Sequence, residues 1–508
     1  MAYLIGMDIG TTGVKSLIMN DDGKILATSF KEYPLYLPHP GWAEQNPLDW
    51  WDATKSALNE LLKKSKVNSR EIRGISFSGQ MHGLVCLDKN INVLRPAILW
   101  CDQRTTPQCR EITKKIGYSR LIRLTSNPAL EGFTLPKLEW VKKNEPTIYK
   151  KTTKILLPKD YIRFKLTGNL GMEVSDAAGT LMFDVSKRKW SRELLKSLEI
   201  DERILPDVKE SIDISGEITE IAAKETGLPA GLPVIFGGAD NTCAAVGNGI
   251  IEEGYWAISI GTSGTVIVPI SKPARDPKGR VHTFNHSVPN VWYLMGVMQA
   301  AGLSLKWFRD EMSASEKTVA IRCGRDAYEY LCEEASKIKP GAEGLFWLPY
   351  LNGERTPHLD SNAKGVLFGV TARHTRAHFI RAILEGVVFG LRDGFEIIKS
   401  LKVPIKQIRL TGGGAKSPLW RQIQADVFNH QVVTINVDEG PAFGAAIIAG
   451  VGVGVYSSFK EASDHLIKVK DTIDPIPENV KRLQASYKIF QKLYCDLKDR
   501  MTEISKLV

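Results

Sequence analysis

Residues 3–20 read YLIGMDIGTTGVKSLIMN: two β-rich runs, 3–9 and 14–20, joined by Gly10-Thr11-Thr12-Gly13. Short apolar runs around a glycine turn predict a β-hairpin. A second turn, Asp21-Asp22-Gly23, leads into a third run, KILATSF. Asn46-Pro47 then opens a helix, because asparagine caps an exposed N–H and proline fits the first helical position. Leu48, Trp51, Leu58, Leu61 and Leu62 are expected on its buried face. The strand IRGISFSG follows from Ile72. The predicted order is three antiparallel strands, a helix, then a strand.

The opening recurs. YWAISI (255–260), Gly261-Thr262-Ser263-Gly264 and TVIVPI (265–270) repeat the hairpin, and VWYLMGVM (291–298) supplies a further strand. Thr11 and Thr262 stand 251 positions apart in a chain of 508 residues, so two duplicated halves are the simplest account. Between them, PVIF and GGADNTCAAVGNG predict a strand, a tight turn and a close-packed helix, with a boundary near 245–255. Residues 1–248 and 249–508 are the expected domains. Later, IKQIRLTGGGAKSPLWRQIQADVFN reads as strand, glycine turn and amphipathic helix, followed by the strand VVTINV. This alternation belongs to the α/β class.

Composition narrows the function classes. Hydrophobic residues make up 43% and charged residues 24%, which fits ordered globular domains. Seven cysteines without a CxxC pair argue against a disulfide framework or a cysteine zinc site and for a reducing compartment. The start of the chain carries no secretory pattern, so a cytoplasmic protein is expected. The one long uncharged stretch, 440–459, holds five glycines and a proline and is expected as a buried helix, not a membrane span. The net charge of +10 suits anionic ligands in general; the lysines are scattered, and the KKSK cluster at 63–66 ends a helix, where cations are favoured. Neither nucleic acid nor membrane is an expected partner. From about Glu478 onward the chain reads as a charged amphipathic helix that packs on its own chain or on a neighbour.

The glycine turns carry the first chemical signal. Phosphate binding needs converging backbone N–H groups without side chains in the way, and a neighbouring threonine or serine adds a hydroxyl. Both turns qualify. Lys15 adds a positive charge beside the first, or is an exposed strand lysine. Asp8 ends the first strand and can hold a hydrated Mg²⁺ against phosphates, or cap the turn. Gly412-Gly413-Gly414 lets backbone pass close to a flat ligand, or makes an ordinary strand-to-helix turn. No GxxxxGK[ST] occurs, so this is not a P-loop protein. Asp240 and Asn241 stand where a strand runs into a helix; Asp240 can accept a proton from an attacking hydroxyl, or simply cap the helix. A helix N-terminus is expected to depress its pKa and make it a weak base.

Histidine pairs His282/His286 and His374/His378 have helical ligand spacing without HExxH, so a metal role is not expected. Trp42, Trp50 and Trp51 are expected in the core.

Taken together, GMDIGTTGVKSLIMN, GWAEQNPLDWW, FGGADNTCAAVG, SIGTSGTV, LPYLNGERTPH and LTGGGAKSPLWRQIQAD resemble the FGGY carbohydrate kinases, a branch of the actin, hexokinase and Hsp70-like superfamily. The resemblance spans about residues 3–455. It implies two RNase H-like domains facing across a catalytic cleft, with ketose held mainly by the first and ATP mainly by the second. It assigns Asp240 as general base, Asp8 as the Mg²⁺-side carboxylate, and Thr11, Thr12, Lys15, Gly261 and Thr262 as phosphate-binding. Gly413, Gly414 and Ser417 fall near the nucleotide, and Met81, His82, Asp240 and Asn241 on the sugar. His82 is expected to hydrogen bond to sugar hydroxyls. SGQMHGLVCLD, ILWCDQRT, LLPKDYIRFKLTG and DAAGTLMFD favour a ketose as acceptor; glycerol kinases carry Arg-Glu where Met81-His82 stands, which disfavours glycerol. Cys243 replaces another small residue, and the loop Ser313 to Ala327 matches nothing in the family. A ribulose or polyol kinase and an actin-like ATPase with a protein partner are the rival expectations, and the assembly is left open, a homodimer being one option.

Overall fold

In the computed structural model, which describes residues 2–437 and 439–507, β1 (Tyr3–Ile9) and β2 (Gly13–Asn20) form the expected hairpin, with Asp8 opposite Lys15. β3 (Ile25–Glu32) extends it antiparallel. Helix α1 (Pro47–Ser65) begins at Asn46, whose side chain accepts the Leu48 N–H. Trp50, Trp51, Leu58 and Leu61 are buried, but Leu48 is 50% exposed. At about 100° per residue the stripe through 50, 54, 57 and 61 leaves position 48 well round the helix. β4 (Ile72–Gly79) lies parallel to β1.

Helices α2 (Pro158–Thr167) and α3 (Val174–Ala178) precede β5 (Ile214–Glu217), β6 (Pro233–Ile235) and β7 (Gly238–Ala239), and α4 (Asp240–Gly247) follows. The strand order is β5-β6-β4-β1-β2-β3, with β7 also on β4.

The second sheet repeats this plan. β8 (Tyr255–Ile260) and β9 (Gly264–Ile270) enclose the second glycine turn, and β10 (His282–Asn285) and β11 (Trp292–Met298) continue antiparallel. After α5 (Arg376–Ser400) come β12 (Gln407–Thr411), α6 (Pro418–Phe428), β13 (Val432–Ile435), α7 (Pro441–Gly452), β14 (Val469–Ile473) and α8 (Pro477–Ile504). The order is β10-β11-β9-β8-β12-β13-β14. In both sheets the hairpin carries an antiparallel strand on one side. On the other stand two parallel strands and an antiparallel edge. The duplication read from two glycine turns is therefore a duplication of topology.

Helix α7 knits the halves together. It takes up residues 441–452 of the uncharged stretch 440–459 as a buried helix, the following 453–458 being turn, and packs on β1, β4 and α4, elements of the first half. The approach is close enough to demand glycine: a Cβ on Gly444 would lie 1.7 Å from the Cys243 carbonyl oxygen, and one on Gly6 1.9 Å from that of Ala442. Among the described residues, no helix is long and apolar enough to cross a membrane. Helix α8 packs on its own chain: the Tyr487 hydroxyl donates to Asp393 (2.6 Å), and the Tyr494 ring stacks on His358. The stretch Ser313 to Ala327, expected as a loop, is mostly helix over Ala314–Cys323.

Candidate active site

The first turn is braced from behind. Gly10 N–H donates to the Gly13 carbonyl (3.1 Å), Gln80 Nε2 and the Tyr33 hydroxyl donate to the Gly10 carbonyl, and Gln45 Nε2 donates to that of Thr11 (2.7 Å). The Thr11 hydroxyl accepts from Trp100 Nε1 (2.9 Å), and Thr12 is exposed. Asp8 Oδ1 accepts the Ser78 hydroxyl (2.8 Å), while Oδ2 lies on the side of Gly10. One oxygen is thus anchored and the other faces the turn, which fits a carboxylate that holds magnesium through water. Burial raises the Asp8 pKa against the pull of Ser78 and Lys15. Lys15 itself pairs with Glu439 (2.5 Å), just before α7.

Asp240 is placed by strand register. β7 pairs with β4 at Gly238–Ser78 and Ala239–Gly79, so Asp240 emerges beside Gln80, Met81 and His82. Gly238 passes so close to Ser287 that a Cβ would lie 2.1 Å from its Oγ. Contrary to the expectation from the helix terminus, Asp240 has its pKa pushed up to about 7, first by burial and then by the Asp8 charge. The single Asn241 N–H on its Oδ1 (2.7 Å) does not offset these.

Asn241 Nδ2 reaches Met81 Sδ at 3.6 Å, which brings two of the residues expected on the sugar together. His82, at φ 70°, has Nδ1 2.5 Å from the Gly179 carbonyl. A carbonyl only accepts, so Nδ1 carries the hydrogen. Burial, with the Lys137 charge next, lowers the His82 pKa to about 3, so the ring is neutral and Nε2 is a free acceptor for a hydroxyl.

The residues expected on the nucleotide gather in the second sheet. Gly261 N–H donates to Ser263 O (2.9 Å), and the helix Gly302–Met312 starts on this turn through Gly302 N–H to Gly261 O (2.8 Å). The register Ser259–Thr411 sets Gly412, Gly413 and Gly414 beside it; Gly412 has φ 75°, and a Cβ there would lie 2.7 Å from Ile260 O. Ser417 caps α6 by accepting the Trp420 N–H (3.3 Å), and Gly261, Thr262 and Gly413 are exposed. Thr11, Thr12 and Lys15 belong to the first sheet, and of these Lys15 reaches the second half through its ion pair with Glu439.

Several residues escaped the sequence reading. Ser78, Gln80 and Gly179 hold Asp8, the first turn and His82. Arg355 lies within GERTP. Its side chain makes no hydrogen bond or ion pair among the described residues, and its charge bears on His82 and His282. Its Nη2 sits by Gly132 of the first half. A lone arginine in a motif gives no signal of which cleft wall it faces. The histidine pairs serve structure: His378 and Thr375 form a capping box on α5, and His282 binds Asn127 (2.9 Å).

This arrangement has counterparts. Residues 3–247 match the FGGY family of carbohydrate kinases, N-terminal domain, and residues 256–453 its C-terminal domain. The chain is 43% identical over 504 residues to the xylulose kinase of Bacillus subtilis strain 168, covering 99% of each. It is 42% identical to that of Lactococcus lactis strain IL1403, covering 97% of each. The solved xylulose kinase of Lactobacillus acidophilus superposes with TM-score 0.93 at 26% identity, covering 99% of this chain and 100% of the other. With both halves matched, in order and around the same turns, the chain belongs to the FGGY family of carbohydrate kinases.

Proposed function

We propose that the chain phosphorylates D-xylulose to D-xylulose 5-phosphate with ATP. The observation that carries the reading is a carboxyl titrating near neutrality, Asp240, between a sugar-side group of Asn241, Met81 and His82 and the first glycine turn with Asp8. In this reading the 5-hydroxyl oxygen attacks the γ-phosphorus in line, the bond to the ADP oxygen breaks, and the hydroxyl proton passes to Asp240. A base near 7 is matched to neutral pH better than an ordinary carboxylate. His82 Nε2 accepts a sugar hydroxyl. Thr11, Thr12, Gly261 and Thr262 donate to phosphate, and Gly413, Gly414 and Ser417 border the nucleotide. Lys15 leaves Glu439 for phosphate when ATP arrives. Asp8 would hold a magnesium ion through water, and that ion would supply charge compensation. Residues 1–248 hold mainly sugar and 249–508 mainly nucleotide, and closure keeps water from the γ-phosphoryl group. A cytoplasmic location is part of the reading, and a homodimer is one assembly compatible with it.

The test is ADP release with D-xylulose, ribulose, fuculose, rhamnulose, gluconate and glycerol. The highest kcat/KM for D-xylulose is expected. A better panel sugar makes the chain a kinase for that sugar, and ATP turnover indifferent to all of them overturns the sugar-kinase reading.

A further inference from the structure

Helix α3 is five residues long, yet it holds both ends of the sugar site. At its start, the Ser175 hydroxyl accepts the N–H of Ala239 (2.9 Å), the residue before Asp240. Just past its end, Gly179 accepts Nδ1–H of His82. A Cβ on Gly179 would lie 2.9 Å from Met81 Cε and 3.1 Å from His82 Nδ1, so the backbone passes close to both residues here. The separation of Asp240 from His82 is therefore set through one short helix.

So short a helix does not hold itself in place, because nucleation outweighs the few hydrogen bonds it makes. A buried charge cluster does so instead. Lys159 on α2 places Nζ 2.8 Å from Asp176, 3.1 Å from Asp160 and 3.2 Å from Glu173, and all four side chains are 0% exposed. Glu173 accepts the Ser175 N–H (2.7 Å), the Ser175 hydroxyl (2.8 Å), the Asp176 N–H (2.8 Å) and the Ser211 hydroxyl (2.9 Å). With its proton committed to Glu173, the Ser175 oxygen is oriented to accept from Ala239. Burying such ions seldom stabilises a fold more than apolar packing would, so fixed geometry is the better explanation for them.

We infer that Lys159 is a positioning residue for phosphoryl transfer: through Asp176, Glu173 and Ser175 it fixes α3, and α3 fixes Asp240 relative to His82. None of these four touches the reacting atoms. The inference rests on the sugar-kinase reading above.

The experiment is steady-state kinetics of full-length Lys159→Met, Ser175→Ala and the double variant, with D-xylulose or whichever panel sugar the wild type turns over best. A displaced catalytic group costs up to ~100-fold, so Ser175→Ala is expected to lower kcat/KM for the sugar at least about tenfold. KM for ATP should stay within about twofold, because among the described residues the hydrogen bonds and ion pairs that fix α3 run to α2, β7 and Ser211, not to the second-sheet turns. The double variant should lose no more than Lys159→Met alone, the mark of residues acting in one chain. Unchanged sugar kcat/KM in Ser175→Ala, or additive losses, overturns the inference. Should Lys159→Met fail to fold, Ser175→Ala decides alone. A wild type that phosphorylates no sugar overturns the underlying reading instead, and that assay comes first.

Discussion

Replacing Asp240 with asparagine should remove activity and, at the same time, stabilise the fold in a pH-dependent way. Asp240 titrates at about 7 where an ordinary aspartate titrates at 3.8. The folded state therefore holds the proton more tightly than the unfolded chain, and wild-type stability declines as pH rises from about 4 through about 7. The distance from 3.8 to about 7 is worth at most ~4 kcal/mol at about 1.4 kcal/mol per tenfold change in proton affinity. Partial exposure to solvent screens this to about 2 kcal/mol. Asparagine keeps the shape and never ionises, so the variant should melt higher than wild type at pH 8 and show a smaller gain at pH 5.

The catalytic half has the opposite sign. In the proposed mechanism only ionised Asp240 accepts the sugar proton, so about nine tenths of molecules should be competent at pH 8, about half at pH 7 and about a tenth at pH 6. Wild-type kcat/KM for the sugar should fall along this limb, and Asp240→Asn should lose at least ~100-fold. Thermal melts at two pH values and ADP-release kinetics from pH 6 to 9 check both halves. A variant that keeps more than about a tenth of wild-type turnover would refute the proton-acceptor role. Equal melting shifts at pH 5 and pH 8 would refute the electrostatic origin of the raised pKa.

Gly444→Ala puts a Cβ 1.7 Å from the Cys243 carbonyl oxygen. It should cost ~1–3 kcal/mol by overpacking and reduce kcat, since the displaced helix α4 begins at Asp240; melts and kinetics measure both. Arg355→Gln removes a cation that makes no side-chain hydrogen bond or ion pair among the described residues and feels only the longer-range charges of Glu131 and Glu354, so stability should hold. In the sugar-kinase reading Arg355, whose charge bears on His82, donates to a sugar hydroxyl, and losing that charged hydrogen bond of ~1.5–3 kcal/mol should raise KM for the sugar at least about tenfold, with KM for ATP unmoved. Tyr487→Phe takes a donor from Asp393, whose pKa burial raises to about 6. It should destabilise by ~1–3 kcal/mol, more at pH 8, where Asp393 is ionised, than at pH 5, as melts at the two pH values will measure.

Which parts of this were legible in the sequence follows from the range of the forces involved. The two hairpins, the Asn46 cap and the strand-turn-helix around the Gly412 run depend on neighbours within a few residues, and each reads directly from composition and spacing. The duplicated topology was legible because the same local pattern occurs twice. Leu48 was misplaced for a local reason too: it carries the right chemistry at the wrong helical angle. What could not be read depends on partners far along the chain. Lys15 looks like a free cation until Glu439, 424 positions away, is brought to it. The Asp240 pKa was expected to fall because only the helix terminus is visible in sequence. It rises because the fold buries the carboxyl beside Asp8 and Tyr293, contributed by strands of both sheets. A helix dipole in its first turn is worth at most ~2 kcal/mol, whereas desolvation of a buried charge costs more. The sign of the shift was thus fixed by tertiary burial. In a two-lobed enzyme it must be, because a base that sequence-local forces kept acidic would already be ionised, and poorly matched to its task, before the second lobe arrived.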